Sequence, residues 1–141
     1  MFKTILLTVD VNDFKGAERP AEVAMQMAQA DGSALHVMNV VPDYGMAIVG
    51  SFFGPGHSKK ILTEARTALE TWGKDRFADL PEVHFLVDQG TIYDRVLQEA
   101  EIIGADAIVV GAHKSQLQDY LIGPNAARIA RHATQSVFVI R

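Results

Sequence analysis

Apolar positions along the chain alternate between two spacings, and the changes of spacing divide it into strands and helices. Residues 2–9 (FKTILLTV) form an apolar, β-branched run that stops at Asp10, the pattern of a buried central strand. From 17 to 30 the spacing becomes helical, with Ala17, Ala21, Ala24, Met25 and Ala28 on one face. Pro20 fits a helix most easily in its first turn, which places the start near Glu18 or Arg19, and Gly32 supplies a left-handed stop. A second strand, 34–41 (ALHVMNVV), ends at Pro42. Residues 44–57 (YGMAIVGSFFGPGH) carry four glycines and a proline yet remain apolar. They read either as a flap over the edge of the core or as a lid over a ligand.

The second half repeats the alternation. Ser58 is placed to cap a helix from 59 to about 77, with Ile61, Leu62, Ala65, Ala68, Leu69 and Trp72 along its buried stripe. Pro81 precedes a third strand at 83–87, and Gln89-Gly90 turns out of it. Thr91 and Asp94 have the spacing of a capping box, followed by Ile92, Val96, Leu97, Ala100 and Ile103 facing inward and by Gly104 as a stop. A fourth strand at 107–110, a helix from about 124 to 132 and a fifth strand at 136–140 (SVFVI) complete the chain. Strands that alternate with helices imply crossover connections, hence an α/β doubly wound five-stranded parallel sheet with helices on both faces. At 141 residues this is a single domain spanning 1–141.

Composition narrows the function classes. A formal charge of −4 offers no broad basic face, so nucleic acid is not an expected partner. The absence of cysteine removes disulfides, thiol chemistry and zinc–thiolate sites. No apolar run reaches the ~18 residues of a membrane span, and the opening run reads as a strand rather than a signal peptide. A cytoplasmic protein without a membrane partner is the expectation.

Residues 106–125 (DAIVVGAHKSQLQDYLIGPN) hold the most suggestive chemistry. A buried strand ends at Val110-Gly111, a polar loop follows, and Gly123-Pro124-Asn125 opens a helix whose later turns carry Arg128 and Arg131. Helix N-termini present unpaired N–H groups and a positive dipole end, which suits phosphate. In doubly wound sheets ligands bind beyond the carboxyl ends of the strands, where strand order reverses. If strands one and four are neighbours, Thr8-Val9-Asp10 and the Gly111 loop share one crevice. The Asp10 carboxylate then suits either a ribose hydroxyl or the capping of a nearby turn. Nothing assigns a catalytic constellation. His36, His57, His84, His113 and His132 are scattered without metal-ligand spacing, and neither a G-x-S-x-G elbow nor a Walker loop is present.

Three segments carry a resemblance to a known family: KTILLTVD at the start, ALHVMNVVPD in the second strand, and GAHKSQLQDYLIGPNAARIARHATQSVFVIR at the end. The whole chain resembles a universal stress protein of the small bacterial single-domain type. The resemblance implies strand order 3-2-1-4-5 and, for many members, a homodimer joined through the last strand, here residues 136–140. One branch of the family binds ATP through a loop written G-x2-G-x9-G-[S/T]; another lacks the loop and retains no nucleotide. Carried onto this chain, Asp10 stands at adenine or ribose with Thr8 and Val9 beside it, and the Val40 backbone meets the base. Val110 and Gly111 begin the phosphate loop, and Gly123, Pro124 and Asn125 end it. The second loop glycine is replaced by Lys114, next to His113; eight residues separate Lys114 from Gly123, and Pro124 stands where Ser or Thr is usual. Proline has neither N–H nor hydroxyl, so two phosphate donors are lost, while the N–H groups of Asn125 and Ala126 remain. The resemblance therefore implies a dimeric stress-response sensor or regulator that binds ATP or another adenine nucleotide, with or without magnesium. Turnover is expected to be slow or absent. The alternative is a nucleotide-free dimeric interaction module of the same fold.

Overall fold

A computed structural model of the chain describes residues 1–43, 56–112 and 123–141. Within them the order is β1 (Thr4–Thr8), α1 (Phe14–Asp31), β2 (Ala34–Pro42), α2 (His57–Gly73), β3 (Val83–Gly90), α3 (Ile92–Ile102), β4 (Ala107–Gly111), α4 (Pro124–His132) and β5 (Ser136–Ile140). The five strands form one sheet in the order β3-β2-β1-β4-β5, every neighbouring pair parallel.

Strand alternation sends side chains to two separate cores. Ile5, Leu7, Leu35, Val37, Ala107 and Val109 face α1 and α2, where they meet Ala17, Ala21, Ala24, Ala28 and Leu69. Leu6, Met38, Ile108 and Val110 face α3 and α4, against Val96, Ala100, Ala126 and Ile129. Small residues dominate the inner face of α1, so this helix lies close on the centre of the sheet. The expected stripes of α1 and α3 face inward, with Met25, Ile92, Leu97 and Ile103 half-buried at their margins; of the α2 stripe Leu69 and Trp72 join the core, while Ile61, Leu62 and Ala68 are only half-buried and outside it. Trp72 stacks on Phe14 with ring centroids 5.1 Å apart, which ties α2 to the first residue of α1.

The local starts and stops differ from expectation in several places, among them the end of α2 at Gly73 rather than near Phe77 and the end of β3 at Gly90 rather than Val87. α1 begins at Phe14 because Asp13 caps it, its Oδ1 accepting the Gly16 N–H at 3.0 Å. Pro20 therefore sits inside the helix rather than in its first turn; it is buried, and its missing N–H leaves the Gly16 carbonyl without an α-helical donor. Gly56, not Ser58, precedes α2. Thr91 is the N-cap of α3, but its side chain makes no capping hydrogen bond.

One polar cluster pins the opposite end of the sheet. Asp106 accepts backbone N–H bonds from Lys3 and Thr4 at 2.9–3.1 Å, fixing the start of β1 beside β4. Partial burial works to raise the pKa of its carboxyl, but these donors outweigh it and hold the group below its ordinary value. On the α3 face, His36 and His84 stand directly opposite each other across β2 and β3, rings stacked at 4.6 Å. Burial, then the proximity of His84, lowers the pKa of His36, while Glu82 pulls it back up. A histidine with a folded pKa below its unfolded value contributes stability that is present above about pH 6.5 and lost as pH falls through that region. Unfolding midpoints in urea should accordingly decline between pH 7.5 and 5.5, and His36→Gln should flatten that slope.

Candidate functional site

The strand order reverses between β1 and β4, so their carboxyl ends flank an open crevice. Backbone and side-chain hydrogen bonds build its floor. The Val9 N–H donates to the Met38 carbonyl at 2.8 Å, carrying the β1–β2 pairing one residue past β1. The chain then turns tightly: Asp10 Oδ1 accepts the Asn12 N–H at 2.9 Å, and the Asp10 carbonyl accepts the Asp13 N–H at 3.0 Å. Asn39, buried within β2, reaches across so that its Oδ1 accepts the Val11 N–H at 3.2 Å. On the other flank the Ala112 N–H donates to the Ile140 carbonyl at 2.7 Å.

Gly111 allows these pieces to close together. A Cβ built there would lie 3.3 Å from Pro20 Cγ and 3.8 Å from the Gly16 carbonyl oxygen, so β4 passes directly against the first turns of α1. α4 begins from Gly123, whose carbonyl accepts the Ala127 N–H at 3.0 Å. Pro124 occupies the first helical position, and the N–H groups of Asn125 and Ala126 have no carbonyl partner within the helix.

Together these elements enclose a cleft of about 780 Å³, within the range of roughly 300–1,000 Å³ common for small-molecule sites. Its character changes from one side to the other. Val41, Pro42, Ile61, Ala65 and Ala68 make an apolar wall on the β2–α2 side, and Val40, Ile92 and Val96 line it from the α3 face. Asp10, Asn12, Asp13 and Asn39 make a polar centre, and Gly111, Ala112, Pro124, Asn125 and Ala126 make the far side. Glu64 adds a third carboxylate to the lining.

Of the residues singled out from the sequence, Thr8, Val9, Asp10, Val40, Gly111, Pro124 and Asn125 converge on this cleft. Val110 points into the α3–α4 core instead, and Gly123 is buried as the cap of α4. His113, Lys114 and most of the glycine-rich segment 44–57 lie outside the described residues. Arg128 does not line the cleft; its guanidinium sits 5.0 Å from the centre of the Tyr93 ring and joins α4 to α3. Asp10 caps the turn that follows it with Oδ1, and no hydrogen bond engages Oδ2 among the described residues. Among the described residues no three His, Asp or Glu side chains are grouped to hold a metal ion.

Several lining residues escaped the sequence reading. Asp13 and Gly16 belong to a cap displaced from the expected helix start, and Pro20 was assigned to a first turn it does not occupy. Asn39 is a lone amide inside the apolar run ALHVMNVV, a weak signal because both phases of that strand are apolar. Glu64 sits beside the predicted stripe of α2 and carried none.

Residues 1–141 match the model of the Universal stress protein family. Universal stress protein G of Escherichia coli O157:H7 is 29% identical over 143 aligned positions, which cover 100% of both chains. Two solved structures share the fold. A universal stress protein in complex with cAMP aligns at 20% identity and a TM-score of 0.65 over 99% of this chain and 97% of that one. The universal stress protein from Archaeoglobus fulgidus in complex with dAMP aligns at 22% identity and a TM-score of 0.59 over 99% and 98%. No helix among the described residues is long and apolar enough to cross a membrane. With a family match from the first residue to the last on a sheet ordered 3-2-1-4-5, the chain belongs to the universal stress protein family.

Proposed function

We propose that this chain binds an adenine nucleotide, ATP or a smaller relative, in the β1–β4 cleft and acts as a cytoplasmic homodimeric sensor or regulator with slow or no turnover. The observation that carries the reading is the graded lining of the cleft. An apolar wall beside β2 matches a base, the free oxygen of Asp10 matches a ribose hydroxyl, and the first N–H groups of α4 match a phosphate. The cAMP and dAMP complexes of structural neighbours support the same class of ligand. Magnesium, when present, would be carried by the phosphates, with Asp10, Asp13 or Glu64 as the nearest carboxylates lining the cleft. For the dimer the support is β5, whose outer edge has no strand beside it among the described residues and whose side chains are only partly buried. Two copies paired edge to edge would satisfy that edge with the same patch from each.

A nucleotide-free dimeric module is the second reading, favoured by Pro124 and the three carboxylates, all of which oppose an anionic ligand. Calorimetric titration with ATP and AMP separates the two. Asp10→Ala should weaken binding about tenfold, the worth of a hydrogen bond to a charged group. Pro124→Ser, which restores an N–H and adds a hydroxyl beside the phosphate, should strengthen it severalfold. Equal affinities across wild type and both variants contradict the assignment of these positions.

A further inference from the structure

We propose that Asn39 reads the ribose of the bound nucleotide, its side-chain amide donating to a sugar hydroxyl whose own proton goes to Asp10. This rests on the nucleotide reading and adds a specificity residue to it. Asn39 is 3% exposed, one of the few polar side chains buried in the fold, and it lines the cleft. The orientation of its amide is dictated by its neighbour. The Val11 N–H can only donate, so Oδ1 must face it, at 3.2 Å, and the NH₂ group must point the other way. Nδ2 has no hydrogen-bond partner among the described residues. Nδ2 is not among the fully enclosed polar atoms that lack a partner, so its N–H groups open onto the cleft, where a bound acceptor can reach them.

The sugar is the part of the ligand that reaches this point. A nucleotide is linear: base, sugar, phosphate. The apolar wall lies beyond Asn39 on the β2–α2 side, and the first N–H groups of α4 lie beyond Gly111 on the β4 side. Asp10, just past the end of β1, and Asn39, within β2, fall between them. Val11, which Asn39 holds, immediately follows Asp10, so one contact positions the carboxylate and orients the donor. A hydroxyl both donates and accepts, and it matches a carboxylate oxygen beside an amide NH₂. A deoxy position matches neither.

The test is a cycle between protein and ligand. Asn39→Asp keeps an oxygen for the Val11 N–H while removing the NH₂ donors. Wild type and variant are titrated with AMP, 2′-deoxy-AMP and 3′-deoxy-AMP, all carrying the same phosphate, so that added charge repulsion cancels between ligands. The expected result is that Asn39→Asp costs about tenfold more affinity for AMP than for one of the two deoxy analogues. Equal losses for all three ligands overturn the ribose assignment, and no loss for any overturns the contact altogether. Both leave nucleotide binding standing. Failure of wild type to bind AMP at all removes the nucleotide reading and this one with it. Should the aspartate prevent folding, the side-chain NH₂ resonances of wild-type Asn39 give the same decision. They should shift on addition of AMP, and more than on addition of the deoxy analogue that binds wild type more weakly. Resonances unmoved by saturating AMP overturn the proposal.

Discussion

Leu7→Ala is expected to remove roughly 2–5 kcal/mol of stability, a large share of the 5–15 kcal/mol typical of a whole domain. Leu7 is fully buried on the central strand, flanked in register by Val37 on β2 and Val109 on β4. The facing helix presents Ala17, Ala21, Ala24 and Ala28. Alanines cannot swing into the space that a lost isobutyl group leaves, and α1 already lies close to the sheet, so the cavity should stay open. That places the cost in the upper half of the range. Urea unfolding measures it directly, because the single tryptophan, Trp72, is stacked against Phe14 and reports the loss of packing. Leu7→Met, which nearly conserves volume, should cost less than about 1.5 kcal/mol. Similar losses for both variants would show that the face under α1 is not packed as described.

The second large effect concerns the cleft. Ala68 lies on α2, half-buried, where the helix lines the apolar wall rather than the centre of the core. Tryptophan there should fill the space assigned to the base and weaken adenine nucleotide binding about a hundredfold or more, beyond 2.7 kcal/mol. The fold itself should change by less than about 1 kcal/mol, since the indole grows into the cleft and not into packed atoms. Titration and urea unfolding on the same preparation separate the two effects. Undiminished binding by a folded Ala68→Trp protein would place the ligand elsewhere.

Most of the architecture was legible from hydrophobic spacing. α4 at 124–132 and β5 at 136–140 lie where the pattern puts them, because Pro124 and the SVFVI run are strong local signals that no tertiary contact overrides. The strand order followed from family resemblance, not from periodicity, which is blind to neighbours. The start of α1 was misread through Pro20. The cap that moves it to Phe14 is a single carboxylate–N–H bond from Asp13, and the burial of Pro20 against β4 is a tertiary fact. β3 runs on to Gly90 because it pairs with β2 as far as Pro42, again a long-range contact.

The cleft was half visible. Asp10 follows the end of β1, Gly111 ends β4 and Asn125 lies at the start of α4, so all three sit at element boundaries that local sequence signals mark. Asn39 was hidden by its position inside an apolar strand, where one amide reads as noise until Val11 is seen to bond it. The apolar wall was hidden as well. Ile61, Ala65 and Ala68 belong to a helical stripe that reads as core, and only the three-dimensional packing shows that part of it fronts an open space.

Nucleotide binding is tested most directly without any variant. The protein is purified without added nucleotide, denatured, and the released supernatant is separated and weighed by mass; the same preparation is then titrated with AMP and with ATP plus magnesium at up to millimolar concentration. An adenine nucleotide in the supernatant, or saturable binding of one nucleotide per chain, is the expected result. An empty supernatant together with flat titrations would contradict it, and the nucleotide-free dimeric module would stand in its place.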